Sequence, residues 1–402
     1  MFKRVFKAFE YRDFRLMWAG ACTSSIGTWM QILAQSWLVY QLSNSPVYLG
    51  IDQFLGQIPV FLLSLFGGVF ADRKSRRGIL LGSQIVQMMC AFTLTVLVAT
   101  HVVQVWHIWC LSFTVGIAQA FGGPAYLALV PSLVGKEDLQ NAIALNSIQF
   151  NLARVIGPVL GGVALAKLGA QWCFALNGLS FAAPIISLIA IRVSFMPERK
   201  GETVLASMRA GIAFMRTRDG MVSLVVLAFL LTALAFPMIS FLPVFAKDVF
   251  HGGPNVYMWF LVASGAGSVA GALTVAASRK SGNPFRRALV AMVVLGGLIT
   301  AFGLSNSRTL STALLFGGGA AMMVVFALNS SLVQAYVGDA MRGRVMSVYN
   351  VALRGGMPMG SLLSGFLIKS MSAPVVMRVN GVLMGILGIG FLLFHRSRLA
   401  DE

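Results

Sequence analysis

The chain has 402 residues, of which 57% are hydrophobic and only 11% charged. A soluble domain carries about 25% charged residues, so this composition excludes an ordinary water-soluble enzyme and equally excludes a disordered chain. The formal net charge is +18, which suggests nucleic acid in a soluble protein, so the placement of the basic residues decides.

At about 20 apolar residues per crossing, such a length holds about twelve membrane-spanning helices. Apolar stretches lie near 14–41, 47–70, 79–100, 106–130, 141–167 and 172–194, then 220–247, 255–278, 287–305, 309–337, 345–369 and 374–394. The first is too long for a cleavable signal and is expected to stay in the membrane. Of the 31 Lys and Arg residues, 24 fall on the side shared by both termini, five on the other side, and two, Arg154 and Arg354, inside spans. Positive charge collects in cytoplasmic loops, which predicts both termini in the cytoplasm and removes the nucleic-acid reading.

The first span carries Ser24, Thr28, Gln31 and Gln35 at helical steps of four, three and four. The second holds Asp52, the one carboxylate clearly inside a span. It is the candidate for proton coupling, because a carboxyl group in an apolar site can load and release a proton. Its position in the first two turns of a helix, where negative charge is favoured, supports a plain structural role equally well. Gly67 and Gly68 near the end of this span permit close helix approach, and Asp72, Arg73, Arg76 and Arg77 follow. The fourth span repeats the polar pattern with Ser112, Gly116, Gln119, Gly123 and Tyr126. Polar groups turned toward lipid are costly, so these faces are expected to point inward or at a wet path, with some of them making interhelical hydrogen bonds.

In the fifth span Arg154 precedes Gly157, Pro158, Gly161 and Gly162. An Arg near mid-membrane costs at least ~2.5 kcal/mol, so it requires water, a carboxylate, backbone carbonyls or an anionic solute. Pro158 cannot donate in its helix, and the glycines offer a smooth face for sliding, sealing or tight packing. The polar stretch 195–219 is the longest connection, and Val204, Leu205, Met208, Ile212 and Met215 within it define a basic amphipathic helix with Arg209 and Arg216 opposite. Such a helix either lies on the anionic inner leaflet or serves as a plain linker.

Beyond that linker the first half is repeated. Ser147, Arg154 and Pro158 recur as Ser347, Arg354 and Pro358; Arg73-Lys74-Ser75 recurs as Arg279-Lys280-Ser281, with Ser278 in place of Asp72; Asn177-Gly178 recurs as Asn380-Gly381. Two six-helix units are expected, 1–194 and 220–402 around the linker 195–219, as parallel repeats. Pro358 and Gly360 read as a poorer copy of the Gly-Pro segment, and Asn329 and Tyr336 in the tenth span as a weaker polar stripe.

Cys22, Cys90, Cys110 and Cys173 lie in apolar stretches at unrelated spacings and read as buried free thiols. His101, His107, His251 and His395 fall near span ends and form no ligand set, so no metal is expected. No phosphate-binding loop or acid/base constellation is visible, so neither a cofactor nor an enzyme activity is expected.

Gly67 through Arg77 resembles the cytoplasmic signature loop of the major facilitator superfamily, and Ala153 through Gly162 resembles its antiporter motif, with Ala153 where that motif has glycine. Tyr11-Arg12-Asp13-Phe14-Arg15, Trp37-Leu38-Val39-Tyr40, Ser45-Pro46, and Asp339 with Arg342-Gly343-Arg344-Val345 resemble the enterobactin-exporter-like, transmembrane secretion effector branch. The resemblance implies an all-α major facilitator fold of twelve transmembrane helices in two pseudo-symmetric six-helix bundles. It implies a latch on the cytoplasmic side between Asp72, with Arg73, and the helix after Asp339. It also places the first, fourth, seventh and tenth helices around a cavity, and Thr28, Gln31, Gln35, Gln119, Tyr126 and Asn329 become its candidate lining.

With Trp29, Trp37, Phe236 and Phe241 nearby in sequence, such a cavity suits a bulky amphipathic organic solute better than a sugar or an inorganic ion. The expected function is a monomeric secondary exporter in the bacterial inner membrane, moving a siderophore-like or drug-like compound by alternating access with proton antiport. A lipid or lysolipid flippase without proton coupling and a non-transporting membrane sensor are the alternatives. Protons, membrane lipids and a small organic substrate are its expected partners.

Overall fold

The computed structural model describes residues 6–73, 75–192, 204–218, 220–277 and 284–396. No strand occurs among the described residues. The helices in chain order are α1 (Arg12–Ser43), α2 (Pro46–Arg73), α3 (Arg76–Ala99), α4 (Val105–Leu129), α5 (Leu139–Lys167), α6 (Ala170–Ser180), α7 (Ala182–Ala190), α8 (Val204–Arg216), α9 (Met221–Ser240), α10 (Pro254–Ala277), α11 (Pro284–Leu304), α12 (Arg308–Ala335), α13 (Asp339–Met371) and α14 (Ala373–Arg396).

Eleven segments among the described residues are long and apolar enough to cross a membrane, α6 and α7 together forming one of them. The 32-residue α1 falls short of that apolarity. The reason is its own polar row, in which Thr23, Ser24, Ser25, Thr28, Gln31 and Gln35 interrupt an otherwise apolar helix. The sixth predicted span is broken at Phe181, where Pro184 lacks the N–H that would bond the Ser180 carbonyl. The seventh leaves the α-helix after Ser240 and ends in a π turn over Phe245–Val249. The eleventh begins at Asp339, six residues before the predicted start, with Gly338 as its N-cap.

Two compact units divide the chain, one comprising Met1–Ser43 and Leu55–Val204, the other Asn44–Phe54 and Leu205–Glu402. The start of α2 therefore counts with the second unit, unlike the predicted boundary at 194. There a Cβ on Gly50 would lie 2.8 Å from the Ser361 carbonyl oxygen, and Lys247 donates to the Asn44 amide oxygen at 2.5 Å.

In the first unit, α5 lies against α1 through Gly157 and Gly161. A Cβ on Gly157 would meet the Trp29 side chain and, at 2.7 Å, the Ile26 carbonyl; one on Gly161 would sit 3.0 Å from the Met30 Cα. In the second unit, α13 meets α9 by the same device, with Gly356 against Phe229 and Thr232 and Gly360 against the Ala233 backbone. The second copy is therefore not the poorer one expected. Its packing glycines stand one position earlier in the repeat, at 356 and 360 rather than 357 and 361.

Proline adds to this packing in both units. Pro124 removes the helix donor that would bond the Ala120 carbonyl, and Gly67 of α2 packs directly on that oxygen. Pro237 does the same for Ala233, where Gly360 packs. A glycine Cα–H set against a carbonyl freed by proline is a close weak contact that a side chain would block. Gly68 has no such neighbour within 4 Å, so only Gly67 of the predicted pair serves close approach.

The chain start is pinned to the first unit. Ala8, Phe14 and Met17 pack in one buried cluster with Leu80, Leu129, Leu145 and Leu188. Lys7 pairs with Asp138 at 3.1 Å, the Tyr11 hydroxyl donates to the same carboxylate at 3.0 Å, and the Asn141 amide oxygen accepts from the Ala8 N–H at 2.9 Å. Asp138 thus anchors residues 7–11 to the first unit. Its carboxylate raises both the Lys7 ammonium and the Tyr11 phenol above their usual pKa values.

Candidate functional site

The polar row of α1 is tied into the first unit as a chain of amides and hydroxyls. Gln35 donates to the Ser112 hydroxyl of α4 at 2.9 Å. Gln31 donates to the Gln35 amide oxygen at 3.3 Å and accepts from the Asn177 amide of α6 at 2.7 Å. Ser180 then donates to the Asn177 oxygen at 3.1 Å. Three helices are linked without a single formal charge. Each interhelical bond of this kind contributes about 0.6 kcal/mol in a membrane protein. Removing one partner costs more, because it strands a buried polar group at about 1–3 kcal/mol.

Of the predicted lining residues, Gln31, Gln35 and Thr28 are half-buried on α1, and Thr28 makes no hydrogen bond among the described residues. Gln119 is exposed on α4 and donates to Gln87 of α3 at 3.3 Å, while Gln87 donates to Ser83, which donates to the Ala118 carbonyl at 2.7 Å. Tyr126 is half-buried and donates to Asn146 of α5 at 3.1 Å. Asn329 is fully enclosed in the second unit, where its amide reaches the Leu224 carbonyl at 3.5 Å, so it packs rather than lines. Trp37 and Phe241 are buried as well; among the four aromatics, Trp29 and Phe236 keep partial exposure. The contribution of Asn177 and Ser180 was visible in the sequence only as a repeated Asn-Gly pair, with nothing to aim it at α1.

Arg154 of α5 is half-buried and sits over the Trp29 ring at 5.6 Å, and Trp29 meets Phe150 edge-on at 6.1 Å. Among the described residues Arg154 has no hydrogen bond or ion pair. A cation–π contact returns about 0.5–2 kcal/mol, less than the cost of the charge at membrane depth. Arg354 of α13 is exposed and likewise has no such partner among the described residues. Each Arg stands four residues before a proline, Pro158 or Pro358, so each Arg carbonyl also lacks its helix donor. Gly162 and Pro158 are buried in α5.

Asp52 is only 3% exposed, in the segment of α2 that counts with the second unit. Burial this deep argues against a carboxylate bathed by water at the helix start. The side chains of Asp72, Arg73 and Asp339, Ser278 as a whole, and the side chains of Val204, Leu205 and Met208 lie outside the described residues. Arg76 donates to the Ala128 carbonyl at 2.6 Å and Arg77 to the Ile189 carbonyl at 2.9 Å, closing the ends of α4 and α7.

The linker helix forms as predicted over Val204–Arg216, but its contact face differs. Met215 is buried, Ile212 is exposed, and a Cβ on Gly211 would lie 2.8 Å from the Arg344 carbonyl of α13. The helix therefore packs on protein along Gly211 and Met215. All four cysteines are free, yet Cys110 is exposed and Cys22 half-buried, so only Cys90 and Cys173 are the enclosed thiols expected. Among the described residues no group of three His, Cys, Asp or Glu could hold a metal ion.

Comparison with known proteins places this geometry. The family model described as transmembrane secretion effector matches residues 4–402. The chain is 24% identical to the multidrug efflux pump Tap of Mycolicibacterium fortuitum over 95% of both chains. It is 26% identical to the enterobactin exporter EntS of Citrobacter koseri over 88% of this chain and 84% of that one. A crystal structure of a mutant of the nucleoside transporter NupG superposes with a TM-score of 0.76 at 13% identity, covering 95% of this chain and 99% of that one.

Proposed function

Because the chain belongs to the transmembrane secretion effector family, efflux transporters of the major facilitator type, we propose that it exports a bulky amphipathic organic solute, siderophore-like or drug-like, by alternating access with proton antiport. The observation that carries this reading is the α1 face. Gln31 and Gln35 are held in place by Ser112 and Asn177 and stay half-exposed beside Thr28 and Trp29. Oriented amides beside an aromatic surface bind polar carbonyls and rings together, and they do not suit a naked ion. The relatives named for multidrug and enterobactin efflux support the same solute class.

In this reading Asp52 carries the proton. A deeply buried carboxyl group exchanges a proton only when access opens to it. Gly157, Pro158, Gly161 and Gly162 keep α5 tight on α1 against leak. In the same reading the protein works as a monomer in the bacterial inner membrane, and the excess of Lys and Arg on one side of the spans supports both termini in the cytoplasm.

Reconstituted flux tests this reading. Siderophores, drugs and lysolipids are offered to proteoliposomes with and without an imposed pH gradient, for the native chain and Asp52→Asn. Gradient-driven flux of a siderophore or drug that Asp52→Asn uncouples is the expected result. Lysolipid movement indifferent to the gradient contradicts the antiport and favours a flippase; no flux of any kind favours a sensor.

A further inference from the structure

Arg154 does more than its place in the Gly-Pro segment requires. On α5, Ser147, Phe150, Asn151 and Arg154 recur at steps of three and four and share one face, whereas Ile148 and Leu152 present an apolar exposed strip beside it. The apolar strip suits lipid, so the polar strip is the one that meets water or solute. Phe150 is 53% exposed, and its ring edge supports Trp29, over which the Arg154 guanidinium lies. One face of the guanidinium is therefore held by an aromatic ring, while its hydrogen-bond donors have no partner among the described residues. A guanidinium fixed in this way presents a planar fork to a carboxylate, sulfonate or phenolate.

We infer that Arg154, Trp29 and Phe150 form a subsite for the acidic group of an aromatic solute, so that the transporter prefers anionic amphipaths to cationic ones. The inference rests on the export reading above and narrows its solute class. The guanidinium binds the anion, and Trp29 and Phe150 stack on the adjoining ring. Positively charged solutes are disfavoured by the same fixed charge.

The test is equilibrium binding to the purified full-length chain in phosphatidylcholine nanodiscs, with empty nanodiscs subtracted. Two fluorescent probes share one ring system: 1-anilinonaphthalene-8-sulfonate carries an anion, and N-phenyl-1-naphthylamine is neutral. Arg154→Gln is expected to weaken the sulfonate at least about tenfold, as for loss of a charge-assisted contact, while the neutral probe changes less than about twofold. Arg154→Lys keeps the charge but loses the fork, and falls between. Equal weakening of both probes overturns the inference in favour of a helix-positioning role, and so does an unchanged sulfonate affinity.

A measurement on the native chain needs no variant. Bound sulfonate is expected to be displaced by 2-naphthoate and not by a naphthyl trimethylammonium cation; the reverse order overturns the inference. Native protein that binds the neutral probe but not the sulfonate sinks the inference alone. Native protein that binds neither removes the export reading with it.

Discussion

The two units build the same helix pair and finish it differently. In both, the helix carrying the Arg-x-x-x-Pro segment lies on a partner helix, α1 in one and α9 in the other, through two glycines four residues apart, 157 and 161 in one, 356 and 360 in the other. Matching those contacts sets Ile26 and Met30 against Phe229 and Ala233, an offset of 203 that also relates Asn177 to Asn380. The same offset places Leu234 and Met238 where the first unit has Gln31 and Gln35. Asn177 donates to Gln31, whereas the buried Asn380 amide nitrogen has no hydrogen-bond partner among the described residues. The backbone packing of the repeat has been kept in both halves, and the amide chemistry survives as a connected set only in the first. That contrast leaves the first unit with a linked set of half-buried amides and the second with a more purely packed helix pair.

The largest expected effect bears on what the units share. Gly161→Val and Gly360→Val force a side chain into a helix contact, and overpacking of this kind costs about 1–3 kcal/mol or more. Gly360 faces the Ala233 backbone, while part of the Gly161 contact is the flexible Met30 side chain. Thermal unfolding of the purified variants is therefore expected to show Gly360→Val as the more damaging; a tolerated Gly360→Val breaks the equivalence of the two pairs.

What the units do not share is tested next. Asn177→Leu removes the donor to the Gln31 amide oxygen, while Ser180 keeps the Asn177 backbone carbonyl at 2.7 Å, and it is expected to lower stability by roughly 1–3 kcal/mol. Asn380→Leu removes a donor that was already unpaired and is expected to be neutral or stabilising. Equal losses contradict the asymmetry. Smaller effects come from the helix ends of the first unit: Arg76→Gln and Arg77→Gln each remove a carbonyl partner, at about 1 kcal/mol apiece. Smallest is Asp138→Asn, which releases Lys7 and Tyr11 and is expected to speed proteolysis near the chain start with little change in unfolding temperature. Because Asp138 raises the Lys7 pKa, the lysine stays charged at neutral pH and its side of the pairing is lost as pH climbs past the raised lysine value.

Much of the architecture was legible because membrane helices must satisfy their backbones internally and bury or solvate their charges. Span positions followed from apolar length, the linker helix from the spacing of Val204, Leu205, Met208, Ile212 and Met215, and the expectation of a repeat from Arg154, Pro158 and their copies. The details that escaped were those fixed by three-dimensional register. Periodicity put Gln31 and Gln35 on one face but could not aim Asn177 at them across 146 residues. It counted Gly360 as a remnant because the packing glycines of the second unit stand one position off the Arg and Pro alignment. The partners of Arg76 and Arg77 could not be read from the sequence, because the carbonyls they close belong to helices 52 and 112 residues away. Asn329 fitted a polar stripe, yet its face turns into the packed interior of its unit.

The most direct test compares the matched positions by transport. Flux of one amphipathic solute is measured in proteoliposomes holding equal amounts of folded Gln31→Leu and Leu234→Gln protein. A loss of at least about tenfold in Gln31→Leu, with Leu234→Gln within about twofold of the native chain, is the predicted result, one decade being about 1.4 kcal/mol of lost interaction. Equal losses, or a loss confined to Leu234→Gln, contradict it.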